Sequence, residues 1–244
     1  MNCIKELLRL LVLGEKASSR RYVAFLRKQG VQVGQDVRFF DPVHTHVDVT
    51  NPWLLTIGDH VSITRGVTIL THDYAWSVVK GHPDSRGALL GAQSPVSIGS
   101  NVFIGMNAIL TRGVTIGDHV IIGAGSVVTG DCESGFVYGG NPARKLMSLQ
   151  EFREKREKMQ EKEAKAVYRS FVDRFGREPE MTVFSEYFPL FCTASQAAEQ
   201  TVFRRQMETG QTFDACVQWM QAHPPRFESY EAFLAFCREE EGLC

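Results

Sequence analysis

The chain has 244 residues, 43% of them hydrophobic, and a formal net charge of −1. That length can bury the core of one or two domains, and the charge balance gives no reason to expect nucleic acid as a partner. No apolar run is long enough to span a bilayer.

Residues 1–30 read as an N-terminal helical segment. Ile4, Leu7, Leu8, Leu11 and Val12 fall on one helix face, and Tyr22, Phe25 and Leu26 form a second. No small-residue cleavage site follows, so a signal peptide is not expected and a cytoplasmic location is. A helix packed over one end of a larger structure is preferred. Peripheral membrane contact is the minority reading of the same apolar face. The six cysteines, Cys3, Cys132, Cys192, Cys216, Cys237 and Cys244, lack metal-site spacing. No metal and no disulfide framework is expected.

Residues 31–147 run on a six-residue clock. Ile98, Ile104, Leu110, Ile116, Ile122 and Val128 keep the beat, as do Val33, Ile57, Ile63 and Ile69. Phe39, Thr45 and Asn51 stand on the beats between. IGDHV occurs at Ile57–Val61 and again at Ile116–Val120; TRGVTI occurs at Thr64–Ile69 and at Thr111–Ile116. A period of six fits neither a helix nor one long amphipathic strand. It fits short strands separated by tight corners, three sides to a coil of 18 residues, with coils stacked as a solenoid. The fifth residue of each hexad, such as Val61, Val102 or Ala108, also points inward. Glycine and Asp-His or Ser-Asn supply the corners.

The clock stops at Ala75–Ser97, and a patternless excursion of this length is usually functional. His72 stands three residues past the beat Ile69, at the edge of that loop. An imidazole there can take a proton from a hydroxyl and return it. His60 and His119 read as corner residues, and His82 within the loop is a second candidate.

From Ser148 onward the chain reads as an α-helical extension, 148–244. Ser148 and Glu151 form a capping box opening a charged helix, with Glu151–Lys155, Glu154–Lys158 and Glu161–Lys165 at ion-pair spacing. Thr193 and Gln196 form another box, and Gly210 is a stop. Phe213, Cys216, Val217 and Met220 make one apolar stripe; Tyr230, Phe233, Leu234 and Cys237 make another, beyond Pro224-Pro225. The function of this extension is not readable from its sequence.

The stretch SPVSIGSNVFIGMNAILTRGVTIGDHVIIGAGSVVTGD, with GNPARKL after it, resembles the hexapeptide-repeat acyltransferases of the galactoside and maltose O-acetyltransferase type. NPWLLTIGD and ILTHDY resemble more closely the relatives that acetylate capsular or O-antigen polysaccharide. The resemblance spans about residues 20–147. It implies a mainly β fold, a left-handed parallel β-helix, assembled as a homotrimer with sites between subunits. It implies transfer of acetyl from acetyl-CoA to a sugar or glycan hydroxyl, with His72 as general base. Asp48 and Asn51 are candidates to orient His72, beside His44 and His46, because Leu54, eighteen residues before His72, cannot. Acetyl-CoA would contact Gly105, Met106, Ala124, Gly125 and Thr129, with Arg144 and Lys145 at its phosphates. An amide near Met106 would hold the oxyanion. Trp76 and His82 are candidate acceptor contacts, Trp76 by stacking on a sugar ring. Phe103 and Gly130 depart from the family's usual Trp and Lys. Three other readings compete: an N-acetyltransferase of an amino sugar, a non-catalytic scaffold, and a zinc lyase of the γ-carbonic anhydrase type. The last lacks the histidine spacing it needs.

Overall fold

The computed structural model describes residues 10–239. The chain divides into two compact units, Met1–Phe152 and Arg153–Cys244.

In the first unit, strands are dealt in rotation to three parallel sheets. One sheet holds β1 (Gln32–Val33), β4 (Leu55–Ile57), β7 (Val96–Ile98) and β10 (Thr115–Ile116). The second holds β2 (Arg38–Phe39), β5 (Ser62–Ile63), β8 (Phe103–Ile104) and β11 (Ile121–Ile122). The third holds β3 (His46–Val47), β6 (Thr68–Ile69), β9 (Ile109–Leu110) and β12 (Val127–Val128). β13 (Phe136–Gly139) extends the second sheet and pairs antiparallel with β14 (Arg144–Ser148). The beat residues pair in register: Ile63 with Ile104, Ile104 with Ile122, Ile69 with Leu110, Leu110 with Val128. They and the fifth residues Val61, Val67, Val102, Ala108, Val114 and Val120 form one continuous buried core. No coil could bury that set alone, so stacking is the source of stability.

The first coil departs from the eighteen-residue repeat. Val33 pairs with Ile57 and Arg38 with Ser62, one hexad further than the repeat requires. The extra residues are a turn at Asp41–Thr45 and a short 3₁₀ segment, Pro52–Leu54. Val47, not Thr45, is the beat residue paired with Ile69, and Asn51 lies outside any strand. Since the insertion totals one hexad, the sequence clock stayed in phase across it.

α1 (Ser19–Gln29) is capped by Ser18, whose hydroxyl accepts the Arg21 amide, and ends at Gly30 with φ of 109°. Its Tyr22, Val23 and Leu26 join the coil core, and Tyr22 meets Phe39 edge-on. Leu11 and Val12 are exposed, while Ile4, Leu7 and Leu8 lie outside the described residues, as do Cys3 and Cys244. Cys132, Cys192, Cys216 and Cys237 are free thiols. No helix among the described residues is long and apolar enough to cross a membrane.

The second unit continues α3 (Leu149–Phe175), which begins in the first. Ser148 and Glu151 close the capping box reciprocally. Of the pairs read off the spacing, Glu161–Lys165 is replaced by other contacts. Arg153 pairs with Glu157 and Arg156 with Glu163, while Glu161 meets Arg226 and Lys165 reaches the Glu239 carbonyl. Glu161 and Lys165 each take a partner distant in sequence in place of one another. α4 (Ala194–Glu199), α5 (Thr201–Met207), α6 (Phe213–Ala222) and α7 (Tyr230–Arg238) close around Phe184, Phe188, Phe191, Phe203 and Phe233. Thr193 caps α4 in a full capping box.

Candidate active site

The excursion leaves the coil just after β6 and returns just before β7. Its two ends zip together: His72 bridges Gln93 in antiparallel fashion, Asp73 N–H donates to the Ala92 carbonyl, and Ser94 N–H donates to the Thr71 carbonyl. Arg112, one coil on, clamps Asp73 at 2.6 Å. The guanidinium hydrogen bond and the Ala75 amide hold the Asp73 carboxyl below its usual range. The backbone of His72 is thereby fixed at the loop's root. The loop is not structureless: α2 (Trp76–Gly81) and a 3₁₀ turn, Pro83–Ser85, lie within it.

Below His72 sits Asp48, 4% exposed and followed by a tight turn. Its Oδ2 lies 2.5 Å from Nδ1 of His72. The same oxygen accepts the Thr71 hydroxyl at 2.6 Å and the Thr71 amide at 3.0 Å, and Oδ1 accepts the Thr50 amide at 3.0 Å. Burial pushes this carboxyl up, but the donors from Thr71 and Thr50 outweigh burial and hold it well below the usual carboxylate range. An ionised carboxylate only accepts, so Nδ1 carries the proton and Nε2 keeps its lone pair. That is the tautomer a general base needs.

His72 opens onto a cleft of about 260 Å³ lined by Thr50, Asp73, Tyr74, Trp76, Leu89 and Leu90 among others. Tyr74 stands edge-on to the imidazole, ring centroids 4.8 Å apart, and Trp76 is 6.2 Å beyond it. The cleft thus has the His72 imidazole, the Asp73 carboxylate held by Arg112, a hydrogen-bonded floor and aromatic walls.

Of the two candidate orienting residues, Asp48 meets His72. Asn51 has its side-chain nitrogen buried without a hydrogen-bond partner. His44 pairs with Asp41, and His46 is exposed on β3. Trp76 lines the cleft; His82 is exposed at the end of α2, where its ring accepts the Asp84 amide. Tyr74 was missed, although its place two residues after the candidate base was the available signal.

The residues expected at the acyl donor form two groups. Gly105, Met106, Ala124 and Gly125 lie at neighbouring corners of successive coils. Gly125 N–H donates to the Met106 carbonyl, and a Cβ on Gly105 would come within 2.5 Å of the Ala124 nitrogen. Met106, Ala124, Gly125 and Thr129 are exposed, so the edge offers small side chains and accessible backbone to a slender ligand arm. Arg144 is exposed on β14. Lys145, next to it, is paired with Glu133 at 2.7 Å and lies 3.9 Å over the Phe136 ring. Its charge reaches a phosphate only if Glu133 releases it. Among the described residues no cluster of His, Cys, Asp or Glu could hold a metal ion.

Residues 95–130 match the family model described as bacterial transferase hexapeptide, six repeats. The chain is 44% identical over 131 residues to Protein CapG of Staphylococcus aureus, covering 53% of this chain and 73% of that one. It is 32% identical over 149 residues to the galactoside O-acetyltransferase of Escherichia coli, covering 60% of this chain and 66% of that one. It is 28% identical over 136 residues to the putative colanic acid biosynthesis acetyltransferase WcaF of Escherichia coli, covering 50% and 72%.

Proposed function

Because this chain belongs to the bacterial transferase hexapeptide family and is similar to a galactoside O-acetyltransferase, we propose that it transfers acetyl from acetyl-CoA to a sugar hydroxyl. The acceptor is a surface polysaccharide or its precursor, a reading supported by the likeness to a putative colanic acid biosynthesis enzyme. The observation that carries the proposal is the buried Asp48–His72 pair at the mouth of the aromatic cleft.

In this reading Nε2 of His72 takes the acceptor hydroxyl's proton as that oxygen attacks the thioester carbonyl. Asp48 stabilises the imidazolium that results. An amide near Met106 holds the oxyanion. The tetrahedral centre collapses, the carbon–sulfur bond breaks, and the imidazolium returns its proton to the departing thiolate. Tyr74 and Trp76 stack against the acceptor ring. Gly105, Met106, Ala124, Gly125 and Thr129 line the path of the acyl donor, and Arg144, with Lys145 after release from Glu133, meets its phosphates. The coil is left-handed, the protein is a cytoplasmic homotrimer, and the catalytic domain is 31–147, with 148–244 an accessory helical extension.

The test is thiol release from acetyl-CoA by the wild type and His72→Ala, against sugars, glycan fragments and amine acceptors. Release that needs a hydroxyl acceptor and falls by about 10²–10⁴-fold in the variant is expected. Near-normal turnover by His72→Ala removes the base from the mechanism. Release with amine acceptors alone makes the enzyme an N-acetyltransferase.

A further inference from the structure

Thr71 has no place in the repeat that explains its burial. β6 pairs with β9, so the residue in register with Thr71 one coil on is Arg112, which is exposed. Thr71 is 0% exposed, covered where the excursion closes over it. Both of its donors converge on one atom. The hydroxyl lies 2.6 Å and the amide 3.0 Å from Oδ2 of Asp48, the oxygen that also meets Nδ1 of His72. Its carbonyl meanwhile accepts the amide of Ser94 on the returning chain. Thr71 therefore ties the carboxylate below to the loop above, at the position where the imidazole must be aimed.

We infer that Thr71 is a positioning residue for the base: its hydroxyl fixes Oδ2 of Asp48 in line with Nδ1 of His72, locking the tautomer that leaves Nε2 free. This rests on the proposed role of His72. The amides of Thr50 and Thr71 each pin one carboxylate oxygen, and the Thr50 side chain adds a weaker donor than the Thr71 hydroxyl, which together leave part of the carboxylate's tilt open. A charge-assisted O–H donor is short and directional and closes that freedom. With the tilt free, Nδ1 has no fixed acceptor. A neutral histidine side chain free in water prefers its proton on Nε2, which would block that nitrogen. Among the described residues the ring's other contact is the Tyr74 edge, which carries no hydrogen bond. The protein thus places the acid of the pair on one coil and the residue that aims it on the next, adjacent in sequence to the base.

The experiment uses the full chain labelled with ¹⁵N-histidine. The His72 ring signals are assigned by their absence in His72→Gln. Wild type and Thr71→Ser are expected to show the Nδ1–H tautomer. Thr71→Val keeps the shape and loses the donor, and is expected to show a mixture with a substantial Nε2–H population. In parallel, kcat for thiol release should fall about 10-fold in Thr71→Val, with KM for acetyl-CoA unchanged, and stay within about 2-fold in Thr71→Ser. A residue that merely filled space would lose stability in the valine variant without moving the tautomer. The inference is overturned if Thr71→Val keeps the single Nδ1–H tautomer, or if serine and valine depart from wild type alike. The ring spectrum needs no substrate. Expected tautomers with no thiol release from any acceptor would leave Thr71 in its role and remove the transferase reading instead.

Discussion

The coil and the helical unit exclude water with different side chains. In the coil, Ile57, Ile63, Ile69, Ile98, Ile104, Leu110, Ile116 and Ile122 are buried one above another, each meeting its counterpart through a parallel pair. In the helical unit the core is a cluster of rings. Phe233 touches Phe184 at 4.9 Å, Phe191 at 4.8 Å, Phe227 at 5.6 Å and Tyr230 at 6.1 Å between centroids. A stack spreads its loss over neighbouring layers, whereas a hub concentrates it. Phe233→Ala, which removes a whole ring, should cost about 3–5 kcal/mol and act on the helical unit, against about 1 kcal/mol for the single methylene lost in Ile104→Val, felt in the coil. Denaturant unfolding of the full chain, resolved by hydrogen exchange over each unit, checks this. A Phe233→Ala variant that loosens the coil as much as the helices would end the distinction between hub and stack.

Glycine sharpens the same contrast. A Cβ on Gly58 would lie 2.7 Å from the backbone of Gly99 in the next coil, a contact that no rotamer change relieves. Gly176, just after α3, has φ of 62° and open space around it. Gly58→Ala should cost about 2 kcal/mol by forcing coils apart, and Gly176→Ala about 1 kcal/mol from backbone strain alone. Thermal unfolding of the two variants ranks them. The reverse order would mean that coil spacing is softer than its close backbone contacts imply.

These differences also explain what could be read in the sequence. Repetition made the coil legible: ten aliphatic beats, two verbatim repeats and a single break marked both the sheets and the loop. The same regularity concealed the lengthened first coil. Its insertion equals one hexad, so Thr45 and Asn51 fell on beats they do not occupy, and the position eighteen residues before His72 pointed to Leu54. The residue under His72 is Asp48, 24 positions back. The candidate base was visible because it interrupts a pattern; Thr71 and Tyr74 were not, because their roles depend on how the loop folds over them. In the helical unit the stripes of α6 and α7 could be read from period alone. Phe184 and Phe188, by contrast, sit in short 3₁₀ turns with no period to display.

Acid acts on both units, through different carboxylates: Asp48 in the coil, Glu163 and Glu178 among the helices. The Asp48 carboxyl is held below its unfolded value, so its contribution is fully present above the unfolded pKa of about 4 and is lost as pH falls through the lower folded value. The coil should thus weaken progressively below about pH 4, and Asp48→Asn should flatten that dependence by roughly 1–2 kcal/mol. Thermal unfolding from pH 7 down to pH 2 compares the slopes. The lowered carboxyls of Asp41, Asp73, Glu151, Glu163 and Glu178 are common to both proteins and cancel in the difference. Parallel curves would mean that the cradle does not favour the charged form.

The smallest effect concerns what an acidic residue does at the surface of each unit. At a coil corner, Asp118 Oδ1 accepts the Ser100 amide at 2.6 Å and so joins one coil to another. On α3, Glu157 pairs with Arg153 one turn away, both more than half exposed. The first bond satisfies a backbone donor that the corner leaves unpaired; the second joins two flexible chains already well solvated. Asp118→Ala should cost about 1 kcal/mol and Glu157→Ala no more than about 0.5 kcal/mol. Salt distinguishes the two further. Raising it to 1 M should erase the Glu157 effect, because the Debye length shrinks to about 3 Å, and should leave most of the Asp118 effect, which is a hydrogen bond to the backbone. Melting temperatures at low and high salt measure both. If the Asp118 effect vanished as well, the corner carboxylates would act as surface charge and the stack would be held by its aliphatic core and sheet ladders alone.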